Sequence, residues 1–333
     1  MGFRSDAERG SFHFRGIPYA ASVGGPNRFL PPQRRTQWTE PLECFTHGAA
    51  AHQSTKKSIG KLLGAKLSED LGIVGDDCLN LNIVAPMDPL GVSPGALRPV
   101  LVWIHGGANA SGSNAQLGHL QPLDEFSTEG VVCVSLNYRL ALHGFLHLPA
   151  QGVTNLAIRD LLAGLQWIQT EIAAFGGDPS NVTIWGQSAG AINVATLLSS
   201  PAAKGLFHKA ILMSGGPGQW ASLEEYKNTA LADMTAALVK AVPGLKLHES
   251  GEPLLEDLTS RATPEAISKA GLIHLHSVSL GMQLQHVTWH ASYDLSRSRG
   301  MPHATRTCSR TRERLDGVGA WPRHSAGDVQ RVA

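Results

Sequence analysis

FGGDPSNVTIWGQSAG, residues 175–190, is the stretch of sequence that decides the fold. Residues 182–185 within it are apolar or β-branched and predict a short buried strand. The next five residues have the form G-x-S-x-G, and the apolar residues of 191–198 fall on one face of a predicted helix. A strand, a tight turn and a helix in this order place the serine of G-x-S-x-G on a nucleophile elbow. We therefore predict that Ser188 is a nucleophile in a strained turn, which glycine on either side leaves free of collisions. The alternative is a glycine-rich turn whose serine has no chemical role.

The composition is that of a globular protein. The 333 residues are 42% hydrophobic and 17% charged, which suits one large α/β domain with a sizeable core. A formal net charge of +1 gives no overall field to attract nucleic acid or an anionic membrane surface. No apolar run is long enough for a membrane span, and the opening MGFRSDAERG lacks the apolar core of a secretory signal. We expect neither nucleic acid nor a membrane span.

Further apolar runs predict strands and a helix around the serine stretch. PVLVWI at 99–104 and GVVCVSLNY at 130–138 have the continuous apolar character of central parallel strands, and 210–213 is a shorter run of the same kind. Apolar residues at every second position of 79–83 predict a strand with one buried face. An apolar stripe with helical spacing runs through 155–175. Strands that alternate with helices predict an α/β protein, with a mostly parallel central sheet flanked by helices.

Several motifs resemble those of one family. The serine stretch follows the pattern F-G-G-D-P-x-N-V-T…G-x-S-A-G, and residues 14–20 and 28–32 are similar to F-x-G-I-P-Y-A…R-F-x-x-P. DDCLNLN at 76–82 resembles E-D-C-L-x-L-N, and N-Y-R-L…G-F-L recurs within 137–146. These are motifs of the type-B carboxylesterase and cholinesterase family. The resemblance implies an α/β-hydrolase fold, incomplete at the C-terminus. It also implies hydrolysis of small-molecule carboxylic esters through a serine acyl-enzyme, with no cofactor and no metal.

The resemblance also implies a catalytic serine and a set of backbone donors. Ser188 takes the place of the nucleophile, and H-G-G-x at 105–108 takes the place of a turn that contributes N–H groups to the oxyanion hole. The implied donors are the N–H groups of Gly107, Ala108 and Ala189, the last at the amino end of the predicted helix. The family commonly has glycine at the position of Ala108, whose methyl group reduces the space around the scissile carbonyl.

Three polar residues in these segments are expected to be structural. His105 invites assignment as a general base, but a histidine at this position more often braces the turn. Arg28 is available to pair with a carboxylate, and Asp160 lies within the predicted helix. The DDCLNLN segment is likewise expected to be structural rather than catalytic.

The base and the acid that a serine nucleophile needs have no recognisable match. The family places them far downstream, in the order serine, acid, histidine. Two combinations have that order: Glu313 or Asp316 followed by His324, and Asp294 followed by His303. None lies in a family-like context, so neither role is assigned.

Two segments of different character divide the chain. Residues 11–269 are predicted to be the N-terminal portion of a carboxylesterase type-B domain. Residues 270–333 contain no Lys and six His among many Arg, Ser and Gly, and we expect an atypical disordered tail, as an altered reading frame or a retained intron would produce. Two histidine pairs of this tail lack an acidic or cysteine partner at matching spacing, so no metal site is predicted: His274 with His276, and His286 with His290.

The four cysteines are too few and too scattered for a disulfide framework or a zinc site: Cys44, Cys78, Cys133 and Cys308. The resembled family usually has a disulfide that ends at the position of Cys78, but the expected partner position holds Ala51 here. Two alternatives stay open, a bond between Cys78 and Cys44 and a reduced, buried Cys78.

Three hypotheses for function follow. The first is a carboxylic ester hydrolase, the second a non-catalytic adhesion or scaffold relative, and the third a truncated product without a function of its own. The intact glycines at 106, 107, 186 and 190 argue against the second hypothesis, because a scaffold needs no nucleophile on an elbow. An active-serine probe separates the first two, and abundance and solubility in cells test the third.

Overall fold

Seven strands form one sheet in the computed structural model, which describes residues 3–4, 10–36, 40–53, 73–87, 96–115, 123–216 and 231–273. In chain order they are β1 (Phe3–Arg4), β2 (Ser11–Pro18), β3 (Asn80–Pro86), β4 (Arg98–Ile104), β5 (Val132–Leu136), β6 (Gly177–Gln187) and β7 (Lys209–Met213). Along the sheet the order is β1-β2-β3-β5-β4-β6-β7. The neighbouring strands are antiparallel in the pairs β1–β2, β2–β3 and β3–β5. They are parallel in the pairs β5–β4, β4–β6 and β6–β7. The sheet is therefore mixed, with its parallel part on the side of the serine stretch.

Helices connect the parallel strands. Those in the described residues are α1 (Leu123–Thr128), α2 (Ala141–Phe145), α3 (Leu156–Glu171), α4 (Ala189–Leu198), α5 (Leu231–Ala241), α6 (Leu255–Arg261) and α7 (Pro264–Ile273). One or more helices lie between each consecutive pair of strands from β4 to β7, as parallel pairing requires. The predicted α/β class is confirmed, and the predicted strands and helix are found within a few residues of their expected bounds.

The helix before the serine stretch ends at glycine. After α3 a 3₁₀ turn, Ile172–Phe175, leads into Gly176, whose φ of 79° is in the left-handed region. Glycine adopts that conformation without a steric penalty, so it commonly terminates helices. Strand β6 begins at the next residue and carries the chain to Ser188.

The parallel strands are buried on both faces. Successive side chains of a strand point to opposite faces. On one face Val102 packs in the main core with Leu161 and Leu165 of α3. On the other face Trp103 contacts Trp185, with ring centroids 4.4 Å apart. This burial explains why the sequences of β4 and β5 are continuously apolar rather than alternating.

Strand β3 is buried more completely than its alternation predicts. Residues 79–85 are all buried, including the polar Asn80 and Asn82. The second face is covered by the segment that follows β4, where the Asn82 side-chain amide donates to the backbone carbonyl of Asn114 at 3.1 Å. The prediction of one buried face was therefore incomplete, because the covering segment comes from elsewhere in the chain.

The cysteines in the described residues are reduced. Cys44, Cys78 and Cys133 are free and buried, and burial raises the pKa of the Cys78 thiol to about 12. The alternative of a reduced, buried Cys78 is thus the one found, and the bond to Cys44 is wrong.

Some predictions concern residues outside the described part of the chain. These are Cys308, the histidine pairs, and residues 274–333 of the predicted tail; the first four residues of that tail, 270–273, belong to α7. Within the described ranges, no helix has both the length and the apolar character needed to cross a membrane. The same residues contain no group of three or more His, Cys, Asp or Glu side chains placed to hold a metal ion.

Candidate active site

Ser188 lies between the end of β6 and the start of α4 in a strained backbone conformation. Its φ of 55° and ψ of −123° are rare for any residue other than glycine. The strain is held by hydrogen bonds on both sides: the Ser188 N–H donates to the carbonyl of Met213 in β7 at 2.9 Å, and the Ser188 carbonyl accepts from Ile192 in α4 at 3.1 Å. The residue is half-buried. This is the strand–turn–helix arrangement that the sequence predicts for a nucleophile elbow.

The flanking glycines leave room for this turn. A Cβ atom at Gly186 would lie 2.5 Å from the backbone carbon of Gly190, far inside van der Waals contact. The two ends of G-x-S-x-G therefore pack backbone against backbone across the turn. This is the collision that the sequence predicts any larger side chain would cause.

The H-G-G-x turn follows β4 at the same edge of the sheet. Ile104, the last residue of β4, pairs in register with Gly186 of β6, so the two turns lie side by side. A Cβ atom at Gly106 would be 2.5 Å from the carbonyl oxygen of Gln187 and 3.4 Å from the Cβ atom of Ser188. The structure thus brings the predicted donor turn into direct contact with the predicted nucleophile.

The N–H groups of the predicted oxyanion hole are available for a ligand. Gly107 and Ala108 have left-handed φ values of 109° and 55°. No hydrogen bond in the described part of the chain uses either of their N–H groups. Ala189 is the first residue of α4, where helix geometry leaves the N–H without an intrahelical acceptor. The assignment of these three donors stays a prediction.

His105 is built into the turn. Its side chain is buried, its Nδ1 donates to the carbonyl of Gly106 at 2.9 Å, and its ring stacks on Tyr138 with centroids 4.5 Å apart. Burial lowers the pKa of His105 to about 4, so the ring is neutral at physiological pH. These contacts favour the predicted structural role over that of a general base.

A pair of buried asparagines near the turn was missed from the sequence. Asn109, in the H-G-G turn, and Asn193, in α4, exchange two side-chain hydrogen bonds of 3.3 and 2.9 Å. The Tyr138 hydroxyl donates to the carbonyl of His105 at 2.7 Å and lies 3.0 Å from the Asn109 side-chain oxygen. A sequence signal did exist, since Asn193 is the one amide side chain in a helix of mostly apolar residues.

Two charged residues expected to be structural have different kinds of partner. Asp160 forms a buried bidentate pair with Arg139, with contacts of 2.6 and 2.8 Å, which joins α3 to the segment after β5. Arg28 was available to pair with a carboxylate. Instead its guanidinium donates to the backbone carbonyl of Ala262, which lies far along the chain at the end of α6.

Comparison with known protein families identifies the family to which this chain belongs. The sequence model described as the carboxylesterase family matches residues 2–253. The chain belongs to the carboxylesterase family. The resemblance drawn from its motifs is therefore confirmed.

Named relatives of this carboxylesterase-family chain are themselves esterases. It is 37% identical over 258 residues to para-nitrobenzyl esterase of Bacillus subtilis (strain 168), covering 76% of this chain and 50% of the relative. It is 41% identical over 207 residues to human carboxylesterase 5A, covering 61% and 34%. These matches favour an ester hydrolase over a non-catalytic scaffold.

Solved structures of the same kind confirm the α/β-hydrolase fold. A thermophilic PNB esterase superimposes with a TM-score of 0.67 at 35% identity, covering 82% of this chain and 51% of the esterase. A carboxylesterase of Geobacillus stearothermophilus gives a TM-score of 0.65 at 35% identity, covering 82% and 52%. The carboxylesterase-family chain thus spans about half the length of the relatives it matches.

The described part of this carboxylesterase-family chain supplies no base for Ser188. The Ser188 hydroxyl has no hydrogen-bond partner among the described residues. The combinations with the right chain order lie outside them: Glu313 or Asp316 with His324, and Asp294 with His303. The structure therefore places the predicted nucleophile and the predicted donors together and leaves the acid and histidine unassigned.

Proposed function

We propose that this chain carries the nucleophile and the oxyanion hole of a carboxylic ester hydrolase. The observation that carries the proposal is the conformation of Ser188, raised on a strained turn against the H-G-G turn. In the proposed reaction the Ser188 hydroxyl oxygen bonds to the ester carbonyl carbon and gives its proton to a base. The bond from that carbon to the alcohol oxygen then breaks, the alcohol leaves with a proton, and an acyl-enzyme remains. Water releases the acid in a second step that restores the serine.

The oxyanion that forms on the carbonyl oxygen would be bound by the N–H groups of Gly107, Ala108 and Ala189. Support comes from their unused hydrogen-bonding capacity and from the position of Ala189 at the amino end of α4, where the helix dipole favours negative charge. Loss of one such donor typically lowers kcat by about 100- to 1,000-fold. Three donors that are already positioned before the substrate binds would therefore contribute a large part of the rate acceleration.

The proposed substrates are small-molecule carboxylic esters. The support is the family match and the name of a relative, para-nitrobenzyl esterase. The chemistry proposed for Ser188 itself uses backbone donors and a proton acceptor, without a cofactor or a metal. Proton removal from Ser188 requires a group that the described residues do not provide.

An activity-based probe tests the proposal directly. A fluorophosphonate forms a covalent bond to a serine that is activated as a nucleophile. We expect slow modification of the full chain at Ser188, because no base lies beside it among the described residues, and no modification of the Ser188→Ala variant. Peptide mass spectrometry identifies the modified residue. Ser214→Ala is a matched control, because Ser214 also has a left-handed φ, of 53°, but is not on the elbow. Equal labelling of the full chain and of Ser188→Ala would overturn the proposal.

A further inference from the structure

Asn109 and Asn193 join the two halves of the proposed site. Their side-chain amides are reciprocally bonded: the amide nitrogen of Asn109 donates to the Asn193 oxygen at 3.3 Å, and the amide nitrogen of Asn193 donates to the Asn109 oxygen at 2.9 Å. The residues are 84 positions apart in sequence and are almost fully buried, at 0% and 1% exposure. Asn109 belongs to the turn that carries Gly107 and Ala108, and Asn193 belongs to the helix that begins at Ala189.

The turn needs an external restraint because its backbone is strained. Gly107, Ala108 and Asn109 have consecutive left-handed φ values of 109°, 55° and 52°. Glycine and asparagine tolerate this region, but alanine does so at a cost. Such conformations persist only where surrounding contacts hold them. A turn released from those contacts would be free to relax, and the direction of its N–H groups would change with it.

Asn109 makes the hydrogen bonds that connect the turn to distant segments of the chain. Besides its bonds to Asn193, its side-chain oxygen lies 3.0 Å from the Tyr138 hydroxyl, and its backbone carbonyl accepts from the N–H of Ala141 at 2.7 Å. By contrast, the N–H groups of Gly107 and Ala108 have no acceptor among the described residues. Within the described part of the chain, the carbonyl of Gly107 accepts only from its near neighbours Ala110 and Ser111, so the hydrogen bonds from these three residues to distant segments are made by Asn109. The groups left unpaired are the proposed donors.

We propose that Asn109 and Asn193 are positioning residues for ester hydrolysis, which align the donors of the H-G-G turn with the nucleophile on α4. The inference rests on the proposed function of Ser188. Neither asparagine is required to touch the substrate. Each acts through the turn, because the distance between the donors and Ser188 depends on how the turn and the helix are held together. Small displacements of preorganised donors are costly to catalysis.

The test separates positioning from a general contribution to stability. For Ser188 in the full chain, the maximal rate constant of modification by a fluorophosphonate and its half-saturating concentration are measured separately. The variants are Asn193→Ala, Asn109→Gly and the double variant. Glycine is chosen at 109 because it keeps the left-handed backbone accessible. Near-UV circular dichroism establishes that each variant is folded.

The control removes a comparable amide far from the site. Gln169 in α3 donates to the carbonyls of Pro179 and Leu206, at 2.9 and 3.1 Å, near the opposite end of β6. Gln169→Ala therefore removes two hydrogen bonds made by a side-chain amide without touching the turn or the elbow. It is expected to alter the midpoint of unfolding but not the rate constant of Ser188 modification.

We expect each single variant to lower the maximal rate constant by on the order of 10- to 100-fold, with the half-saturating concentration unchanged. The double variant should be no slower than the slower single variant, because one removal already breaks the pair. Two results would overturn this inference and leave the proposed function intact. One is an unchanged rate constant in folded Asn193→Ala and Asn109→Gly, and the other is an equal decrease in Gln169→Ala. Failure of the unaltered chain to react at Ser188 would instead overturn the proposed function, and this inference with it.

Discussion

A methyl group on Gly190 would lie 2.1 Å from the carbonyl oxygen of Ile104, so the first turn of α4 is pressed against the end of β4. The backbone of Ile104 and His105 therefore excludes a side chain on Gly190, and the backbone of Gly190 in turn excludes a side chain on Gly186 across the elbow. The position of α4 fixes both Ser188 and the N–H of Ala189. This contact couples the packing of the sheet to the geometry of the proposed site.

Gly190→Ala is expected to weaken both the fold and the reactivity of Ser188. The added methyl group must displace backbone atoms, and overpacking of this kind costs about 1–3 kcal/mol of unfolding free energy. Urea denaturation measures that loss, and fluorophosphonate labelling measures the displacement of Ser188. Gly216→Ala is the matched control, because a Cβ atom there has no neighbour within 4 Å among the described residues. If Gly190→Ala behaved like Gly216→Ala in both measurements, the close contact would not exist in solution.

Asp160→Asn is expected to be strongly destabilising. The Arg139 and Asp160 side chains are 2% and 0% exposed, so the change leaves an uncompensated buried guanidinium. Removing one partner of a buried pair typically costs about 3–5 kcal/mol. The control is Arg261→Gln, which breaks a pair with Asp257 in which Arg261 is 51% exposed. That change should cost less than about 1 kcal/mol. Similar urea midpoints for the two variants would contradict this difference.

The stability of the fold is expected to decrease in mild acid. Burial lowers the pKa of His105 to about 4 and that of His143 to about 3, so both rings stay neutral in the folded protein at pH 5. The unfolded chain binds protons on these rings below about pH 6.5, so each ring lowers the free energy of unfolding by about 1.4 kcal/mol per pH unit from there down to its folded pKa.

Urea unfolding at pH 7, 6 and 5 measures this dependence. His143→Gln should reduce the slope, because the glutamine amide can still donate to Pro264 or Ser268, which His143 now contacts at 3.2 Å, and it does not titrate. His248→Gln, in a surface turn where the ring contacts Ser250, is the control for replacing a histidine by glutamine. A free energy of unfolding that stays constant from pH 7 to pH 5 would show that the two rings are accessible to protons in the folded state.

The elbow and its neighbouring turn could be predicted because short-range rules encode them. Glycine at 186 and 190 is required by the turn itself, and the apolar run of 99–104 leads directly into H-G-G-x. Both follow parallel strands, whose carboxyl ends meet at one edge of the sheet. Sequence alone was therefore sufficient to predict the strand–turn–helix conformation at Ser188 and the H-G-G-x turn after β4, whereas the chemical roles of these residues stay predictions.

The contacts that hold the site could not be predicted, because they depend on which distant segments meet. Asn109 and Asn193 are far apart in sequence, and the carbonyl bound by Arg28 is 234 positions away. The burial of Asn80 and Asn82 likewise depends on a covering segment that period-two alternation does not reveal. A polar residue in an apolar element indicates that a partner exists, but tertiary packing determines its identity.

The final prediction is that the purified chain hydrolyses esters slowly. The proposed site has donors for the oxyanion, but within the described residues the Ser188 hydroxyl has no histidine to accept its proton. Loss of the histidine from a comparable triad lowers kcat by on the order of a million-fold, whereas the oxyanion hole and substrate binding keep a residual acceleration. The rate of steady-state hydrolysis of a short-chain p-nitrophenyl ester is measured for the unaltered chain and for Ser188→Ala. The comparison gives the residual acceleration that depends on Ser188. A small rate that disappears in Ser188→Ala is expected. Turnover typical of a complete esterase would mean that a histidine outside the described residues completes the site, and His303→Ala and His324→Ala would then identify which one.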